Sequence, residues 1–271
     1  MKLTFLIPVK LESDDRVRNL ITILSYLLSK FDAQIIVQES DFSPKFESYV
    51  YPFLIKKFGT VSDKLKYFYE EQTNLFFHKT KILNDLIQRS ETEIVCNYDT
   101  DVLFPESSIL TAYEMIDSKY SDVVYPYGCG AYQKSVQYSQ DIFSSFINSN
   151  LSLSQLDQYS NLSSSTIGWC QFIRKENYIN SFMMNENFYS WGPEDCELFY
   201  RLNVFENKVD RINDYVYHLE HSRSNDSWFS NPNWQDNFKL WEWIRKQDKK
   251  TLINYYKNQD YIKRRFANAG I

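Results

Sequence analysis

One stretch of the chain says most about its fold: it reads Ile94-Val95-Cys96-Asn97-Tyr98-Asp99-Thr100-Asp101. Its first five residues are mostly apolar and predict a buried strand that ends on two carboxylates. Alternate residues of an extended segment point to the same side, so Asp99 and Asp101 can face one ligand together. Carboxylate oxygens suit Mg²⁺ or Mn²⁺, and these ions keep positions open for phosphate oxygens. In isolation, however, the tripeptide is also typical of a plain turn at a strand end.

Strands and helices alternate on both sides of this stretch. The predicted strands span 3–9, 33–38, 64–69, 93–98 and 122–127. The predicted helices span 14–30, 43–58, 78–89 and 105–119. Such alternation implies a largely parallel sheet, whose ligands sit at the carboxyl ends of the strands. We therefore expect an α/β, Rossmann-like fold with helices on both sides of a mostly parallel central sheet, and with the two aspartates at its ligand-binding edge.

The second half of the chain is less regular. Residues 128–165 are rich in Ser, Gln and Asn, a composition that is typical of two kinds of segment. One is a mobile loop that covers a substrate, and the other is a plain surface excursion. Strand-like character returns at 166–173, a helix is predicted over 194–206, and 209–218 is expected to be extended. From Trp234 onward the pattern is helical. These features predict a main domain over 1–233, with halves at 1–127 and 128–233, and a helical extension over 234–271.

Composition excludes some function classes. The 271 residues include 30 Lys and Arg against 35 Asp and Glu, and this acidic balance argues against a nucleic-acid binder. The four cysteines lack CxxC spacing, which favours a reducing compartment. The apolar run at the N-terminus ends at Pro8 and is too short for a signal peptide or a membrane span. A cytoplasmic protein is therefore expected.

Basic residues near the C-terminus leave two interpretations open. They could rest on the anionic inner face of a membrane, or they could form an ordinary solvated helix face. The residues concerned are Arg245, Lys246, Lys249, Lys250, Lys263, Arg264 and Arg265.

A second informative segment is Tyr189-Ser190-Trp191-Gly192-Pro193-Glu194-Asp195. A Gly-Pro turn leads into a helix that has two acids in its first turn. The helix dipole stabilises negative charge there, which lowers the pKa of a carboxylate and suits a base that must be deprotonated near neutrality. Plain helix capping would also place acids there. The adjacent Trp191 offers a flat apolar surface to a sugar ring.

A third segment is His218-Leu219-Glu220-His221-Ser222-Arg223. It holds two of the three histidines in the chain, and histidine is the commonest metal ligand among side chains. On a turn after a strand, both imidazoles could face one ion together with Asp101. A chance pair of histidines in a loop is the alternative. Arg223 could supply positive charge to a diphosphate.

Taken in order, these segments resemble the inverting glycosyltransferases of the GT-A fold, and above all the beta-1,4-galactosyltransferase family and its bacterial relatives. Four blocks between 3 and 223 carry the resemblance. They are Phe77-His78-Lys79-Thr80-Lys81-Ile82-Leu83-Asn84, Asp99-Thr100-Asp101, Trp191-Gly192-Pro193-Glu194-Asp195, and His218 through Arg223. In addition, Gly168-Trp169 resembles the Gly-Gly segment that precedes the family's Trp block.

The resemblance implies a role for each matching residue. Asp101 and His221 would bind Mn²⁺, with Mg²⁺ possible, and His218 stands where the family has a methionine ligand. Asp195 would be the general base, and Glu194 would contact the acceptor sugar. The residues expected to bind sugars or phosphates are Trp191, Gly192, Gly168, Trp169 and Arg223. The residues expected to contact the nucleotide are Pro8, Lys10, Arg16, Glu39, Lys79, Asp99 and Asp101.

Two positions depart from the family pattern. Lys79 replaces an arginine near the nucleotide, which weakens its assignment, and Pro193 replaces a glycine, which should stiffen the turn. The resemblance implies a UDP-sugar donor, with galactose or N-acetylgalactosamine favoured, and a glycan or lipid-linked glycan acceptor in bacterial surface polysaccharide synthesis. Residues 1–127 would then bind the donor, and 128–233 would bind the acceptor.

Three other functions compete with this hypothesis. A phosphatase of the haloacid dehalogenase type also places Asp-x-Asp after a buried strand, but normally after its first strand. A catalytically inactive sugar- or nucleotide-binding domain would share the fold without the reaction. A retaining glycosyltransferase would differ in the anomer of its product. The sequence indicates no particular oligomeric state.

Overall fold

The computed structural model describes residues 1–61, 63–73, 76–223 and 230–269. Its strands are β1 (Leu3–Val9), β2 (Gln34–Asp41), β3 (Leu65–Glu71), β4 (Ile94–Tyr98), β5 (Val102–Leu103), β6 (Val123–Tyr125), β7 (Gly130–Val136), β8 (Ser160–Ser165), β9 (Cys170–Arg174), β10 (Val209–Arg211) and β11 (Val216–Leu219). Its α-helices are α1 (Asp14–Lys30), α2 (Tyr51–Phe58), α3 (Lys79–Arg89), α4 (Glu106–Asp117), α5 (Gln140–Asn148), α6 (Lys175–Asn180), α7 (Glu194–Val204), α8 (Trp234–Ile244), α9 (Lys249–Lys257) and α10 (Asp260–Ala269).

Within these ranges the central sheet has seven strands, in the order β10-β6-β9-β4-β1-β2-β3. Only β9 runs against its neighbours, because it pairs antiparallel with both β4 and β6. All seven residues of β1 are buried, as expected for a strand that is covered on both faces. The predicted α/β fold with a mostly parallel sheet is therefore confirmed. The last two residues of the predicted extension, 270–271, lie outside the described residues.

The helices follow the apolar periodicity of the sequence. Helix α1 begins where Ser13 accepts a hydrogen bond from the backbone of Arg16, and its inner face buries Leu20, Leu24 and Leu27. Residues 46–58 of the predicted helix over 43–58 are helical, first as a short π-helical turn at Phe46–Val50 and then as α2, whereas residues 43–45 are not. Because β1 and β4 pair in parallel, their carboxyl ends lie at the same edge of the sheet.

Residues 128–165 are not a single loop, and whether they cover a substrate stays a prediction. This segment contains β7, α5, a 3₁₀ segment over Leu153–Tyr159, and β8. Within the described residues, β7 and β8 belong to a second sheet of four strands, in the order β5-β11-β7-β8. Most side chains of both strands are only partly buried or exposed, so the segment carries serines and amides without an apolar alternation.

The C-terminal helices pack on α7 through a second apolar cluster. The cluster comprises Phe182, Phe188, Ile244, Leu252, Tyr256, Tyr261 and Ile262. At its edge the fully buried Arg201 pairs with Glu197 at 2.7 Å, and its guanidinium lies 4.5 Å from the centre of the Tyr256 ring. The hydroxyl of Tyr256 also donates to Glu197. Tyr256 therefore links helix α9 to helix α7.

The basic residues near the C-terminus do not form a uniform surface. Arg265 is buried and pairs with Glu186 and Asp85, so its predicted place on a basic surface is wrong. Lys249 and Arg245 are exposed but pair with Glu206 and Glu242. Across the described ranges, no helix combines the length and the apolar character that crossing a membrane requires.

Candidate active site

The pairing of two short strands brings the carboxylate motif to the histidines. Strand β5 follows directly after Asp101 and pairs antiparallel with β11, which sets Val102 opposite His218. The backbone N–H of Leu219 donates to the carbonyl of Asp101 at 2.7 Å. Strand β7 supports β11 from its other side. The second sheet therefore fixes where the His218 segment crosses the end of β4.

Asp101, His218 and His221 form a compact group that could hold a metal ion. One potential ligand atom from each lies within 4.8 Å of the others. Nε2 of His221 lies 2.9 Å from Oδ2 of Asp101, and Nε2 of His218 lies 4.0 Å from the same oxygen. Oδ1 of Asp101 is buried and has no hydrogen-bond partner within the described residues. The three predicted metal ligands thus converge on one point.

Charge around Asp101 is arranged to keep it ionised. Burial acts to raise its pKa, but the hydrogen bond to His221 and the nearby side chains of His218, His221 and Arg16 hold the pKa below its ordinary value. Nη1 of Arg16, in the first turn of α1, lies 3.5 Å from Oδ2 of Asp101. Burial acts to lower the pKa of His218, yet Glu220 and Asp101 raise it. The carboxylate of Asp101 is therefore stabilised in its ionised form.

Asp195 lies at the start of α7, directly above Gly168. Gly168 adopts φ +123°, and a Cβ at this position would lie 2.1 Å from Oδ2 of Asp195. Only glycine fits so close a backbone approach. The next residue, Trp169, accepts a hydrogen bond at its carbonyl from the backbone of Asp99 at 2.9 Å. The turn before β9 thus places Asp195 beside the end of β4.

Lys79 joins the two acidic groups. Its Nζ lies 3.0 Å from Oδ1 of Asp99 and 3.5 Å from Oδ2 of Asp195. Burial acts to lower the pKa of Lys79, but Asp195 and Asp99 together raise it above its ordinary value. Burial raises the pKa of Asp99, against the opposing charge of Lys79. The ammonium group at the start of α3 therefore neutralises carboxylates from two different parts of the chain.

Glu194 differs from the sequence prediction for acids at this helix start. Its side chain is 5% exposed, and Oε2 has no hydrogen-bond partner in the described structure. Burial, and then the charge of Asp195, raise the pKa of Glu194 to about 8. The prediction that the helix dipole lowers the pKa is wrong for this residue, because the loss of water outweighs the dipole. Burial therefore favours the neutral form of Glu194.

These groups share one cavity of about 630 Å³. That volume is typical of a small-molecule site. The predicted residues that line the cavity are Pro8, Lys10, Arg16, Lys79, Asp99, Asp101, Trp169, Trp191, Gly192, Glu194, Asp195, His218, His221 and Arg223. Among the predicted residues, all of which are described, Glu39 and Gly168 lie outside this lining. Gly168 instead packs directly against the side chain of Asp195.

Glu39 has a structural role at the end of β2. One carboxylate oxygen accepts from the backbone of Lys45, and the other accepts from the backbone of Phe46 and from the hydroxyl of Tyr67. The residue is fully buried. Both oxygens therefore hold the chain around the π-helical turn, and the predicted contact with a nucleotide is not available to them.

The sequence analysis did not identify several residues that line the cavity. Gln133 comes from β7, Thr166 and Ile167 precede the turn at Gly168, and Trp234 begins α8. No local motif distinguishes Gln133 or Thr166 from their serine-rich surroundings. Trp234 could have been recognised as a candidate ligand-binding residue, because it is a large aromatic residue at a predicted helix start. The sequence analysis instead assigned it to the C-terminal extension. The predicted boundary at 233/234 stays a prediction.

Comparisons with known proteins show that this chain shares its fold with solved structures, and they show nothing beyond the fold. No protein-family model and no curated protein sequence matches the chain. The solved structure of S. aureus TarS 1-349 in complex with UDP-GlcNAc is 17% identical, with a TM-score of 0.58 over 90% of this chain and 65% of that one. The mannosyltransferase PcManGT from Pyrobaculum calidifontis, in complex with GDP-Man and Mn²⁺, is 14% identical, with a TM-score of 0.51 over 81% of this chain and 56% of that one.

This chain spans less than two thirds of the length of either structure. Their sequence identity is too low to transfer an activity or a substrate, and the resemblance to the beta-1,4-galactosyltransferases stays a prediction. The likeness nevertheless shows the fold, a central sheet flanked by helices. The chain therefore has the GT-A fold of these nucleotide-sugar-binding proteins.

Proposed function

We propose that this protein is a metal-dependent inverting glycosyltransferase. It transfers a hexose, with galactose or N-acetylgalactosamine favoured, from a UDP-sugar to a hydroxyl group of a glycan or lipid-linked glycan acceptor. The setting is bacterial surface polysaccharide synthesis, at the cytoplasmic side of the membrane. One observation carries the proposal: a potential metal-binding group and a carboxylate at a helix start line the same cavity. Two structures of similar fold hold a nucleotide-sugar, one of them with Mn²⁺.

The residues present fit a divalent first-row metal ion. Asp101 offers a buried oxygen without a hydrogen-bond partner among the described residues, and two imidazoles lie beside it. Imidazole ligands favour Mn²⁺ over Mg²⁺, which prefers oxygen and water. When bound, such an ion offsets the negative charge that develops on a leaving diphosphate. Asp101, His218 and His221 would hold it.

The cations in the cavity suit the diphosphate of the donor. Lys10, Arg16 and Arg223 line the same cavity as the potential metal-binding group. Guanidinium groups bind phosphate oxygens in pairs, and their charge does not depend on pH near neutrality. These side chains therefore orient the donor and stabilise the leaving group where charge grows.

Asp195 performs the proton transfer in this proposal. As the acceptor oxygen attacks the anomeric carbon, Asp195 takes the hydroxyl proton, and a new C–O bond forms. The bond between the anomeric carbon and the phosphate oxygen breaks at the same time, and its electron pair leaves with UDP. Attack from the opposite face inverts the anomeric centre in one displacement. Lys79 holds the Asp195 carboxylate towards the end of β4.

Glu194 binds the acceptor as a neutral acid. Its unpartnered Oε2 is buried beside the cavity, and its raised pKa of about 8 leaves a proton on the carboxyl group near pH 7. A protonated carboxyl both donates and accepts hydrogen bonds. Glu194 can therefore hold an acceptor hydroxyl next to Asp195 without placing a second negative charge there.

This role predicts a specific pH dependence. As the pH rises through about 8, Glu194 loses its proton, so its donor is lost and a charge appears beside Asp195. We expect kcat/KM of the native enzyme to fall about tenfold per pH unit above that value. Glu194→Gln keeps the shape and stays neutral, so its kcat/KM at pH 7 should remain within about tenfold of the native value, without the alkaline fall.

The measurement is a profile of kcat/KM from pH 6 to pH 10 for both proteins. Glu194→Ala serves as the comparison, because it removes the hydrogen bond as well as the titration. An alkaline fall that persists unchanged in Glu194→Gln would show that another group titrates. A native profile that is flat to pH 10 would contradict the proposed role directly.

A screen of UDP-sugars tests the function itself. Release of UDP is measured with UDP-galactose, UDP-N-acetylgalactosamine, UDP-glucose and UDP-N-acetylglucosamine, each with and without Mn²⁺ and with a mixture of glycan acceptors. We expect Mn²⁺-dependent release with one or two of these donors. Release of inorganic phosphate instead of UDP would favour a phosphatase. A product that keeps the anomeric configuration of the donor would exclude the inverting mechanism.

A further inference from the structure

Three aromatic side chains form a continuous row that leads out of the cavity. The row comprises Trp191, Trp234 and Phe238. The ring centres of Trp191 and Trp234 lie 5.1 Å apart, and those of Trp234 and Phe238 lie 5.4 Å apart. Trp191 and Trp234 line the cavity, whereas Phe238 lies one helical turn further along α8. The row thus begins in the cavity that Asp195 also lines and ends on the surface.

Much of this row is open to solvent. Trp191 is 37% exposed and Phe238 is 42% exposed. The packing of α8 does not require Phe238, because Asn237 and Ile244 make the buried face of the helix. Exposed aromatic residues that continue from a cavity are typical of a ligand-binding surface. The nearby charges of Lys239 and Asp236 pair with each other at 3.1 Å, so the surface is close to neutral.

The start of the row is held rigidly by two buried asparagines. Asn237 donates to the carbonyls of Tyr189 and Trp191 at 2.8 and 3.2 Å, and its own oxygen accepts from the backbone of Tyr189 at 3.1 Å. Asn231 donates to the carbonyl of Trp191 at 2.5 Å. A Cβ on Gly192 would lie 2.7 Å from Nδ2 of Asn237. The rings are therefore preorganised, which reduces the entropy lost when a ligand binds.

We infer that this aromatic row is a second acceptor subsite, which binds the sugar that follows the reacting one in a glycan chain. Pyranose rings present an apolar face of C–H groups, and aromatic rings offer a matching flat surface without charge. The inference rests on the proposed function, because Asp195 defines where the reacting hydroxyl lies. It makes the acceptor a chain of two or more sugars, held partly by the C-terminal helix α8.

The test is binding to a printed array of defined glycans, from monosaccharides to hexasaccharides, in the presence of UDP and Mn²⁺. The unsubstituted 271-residue chain is compared with Phe238→Ala and Phe238→Tyr. Alanine favours helices, so α8 should persist in the first variant. Trp243→Ala is the matched control, since this residue is an exposed aromatic of the same helix that packs on Tyr255 of α9 instead.

The native protein should bind chains of two or more sugars at least about tenfold more tightly than the matching terminal monosaccharides. Phe238→Ala should lose that advantage, while Phe238→Tyr and Trp243→Ala should keep it. Equal binding of short and long glycans, binding of no glycan, or an unchanged Phe238→Ala would each overturn the inference. Calorimetry with UDP on the same sample separates the two proposals, because failure to bind UDP contradicts the proposed function whatever the array shows.

Discussion

Asp195→Asn is expected to lower kcat by ~100-fold or more, with little change in the affinity for UDP. The amide keeps the size of the side chain but cannot take a proton from the acceptor hydroxyl. The contact with Lys79 at 3.5 Å would lose its charge, yet Lys79 would keep its partner Asp99 at 3.0 Å. The donor side of the cavity should therefore keep its shape. Steady-state kinetics with saturating donor, together with calorimetry of UDP binding, check this expectation.

A matched control for this variant is Asp141→Asn. Asp141 is likewise an acid in the first turn of a helix, α5, and it lies on the surface away from the cavity. We expect native kcat in this variant. If Asp195→Asn retained more than about a tenth of native kcat, Asp195 would not be the base, and the chemical assignment of the cavity would have to change.

Asp101→Asn is expected to abolish metal-dependent turnover. Asp101 supplies the carboxylate oxygen in the potential metal-binding group, and the other two members are imidazoles. A neutral amide in its place weakens the attraction to a dication, so the affinity for Mn²⁺ should fall by ~100-fold or more. Without the ion, the charge on the leaving diphosphate is not offset. Paramagnetic resonance of free and bound Mn²⁺ measures the affinity, and UDP release measures the turnover.

Asp99→Asn is the comparison for this change, because it removes a charge two residues away. Asp99 is held by Lys79 rather than by the histidines, so its variant should retain most of the Mn²⁺ affinity. Added chelator should stop the native enzyme and leave the residual activity of Asp101→Asn unchanged. Native Mn²⁺ binding by Asp101→Asn would place the ion elsewhere and contradict the proposed ligand set.

Local sequence patterns were sufficient to locate most strands of the central sheet. The apolar run Leu3–Val9 and the run before Asp99 each form a buried strand, because a strand covered on both faces needs apolar residues throughout, and the two strands pair in parallel. The 3.6-residue periodicity placed α1 and α3 within a residue or two. The rule that ligands lie at the carboxyl ends of parallel strands then predicted the edge that holds Asp99 and Asp101.

Residues whose roles depend on non-local contacts were predicted less well. Glu39 occupies a strand end, as a ligand-binding residue would, but the neighbouring turn and Tyr67 take both of its oxygens. Glu194 has the sequence position of an ionised acid, yet burial raises its pKa. In both cases the deciding quantity is how much water and how many partners surround the carboxylate. Sequence spacing does not contain that information.

The sequence by itself determined the alternation of strands and helices, the acids at the end of β4 and at the start of α7, and the chemical identity of the candidate metal ligands. Only the tertiary structure decided that β7 and β8 pair in a second sheet, that β11 carries His218 to Asp101, and that α8 adds Trp234 to the cavity lining. The reason is physical: local periodicity follows from each residue's own side chain, whereas strand pairing uses backbone groups that every residue shares. Which strands meet therefore depends on the packing of the whole chain.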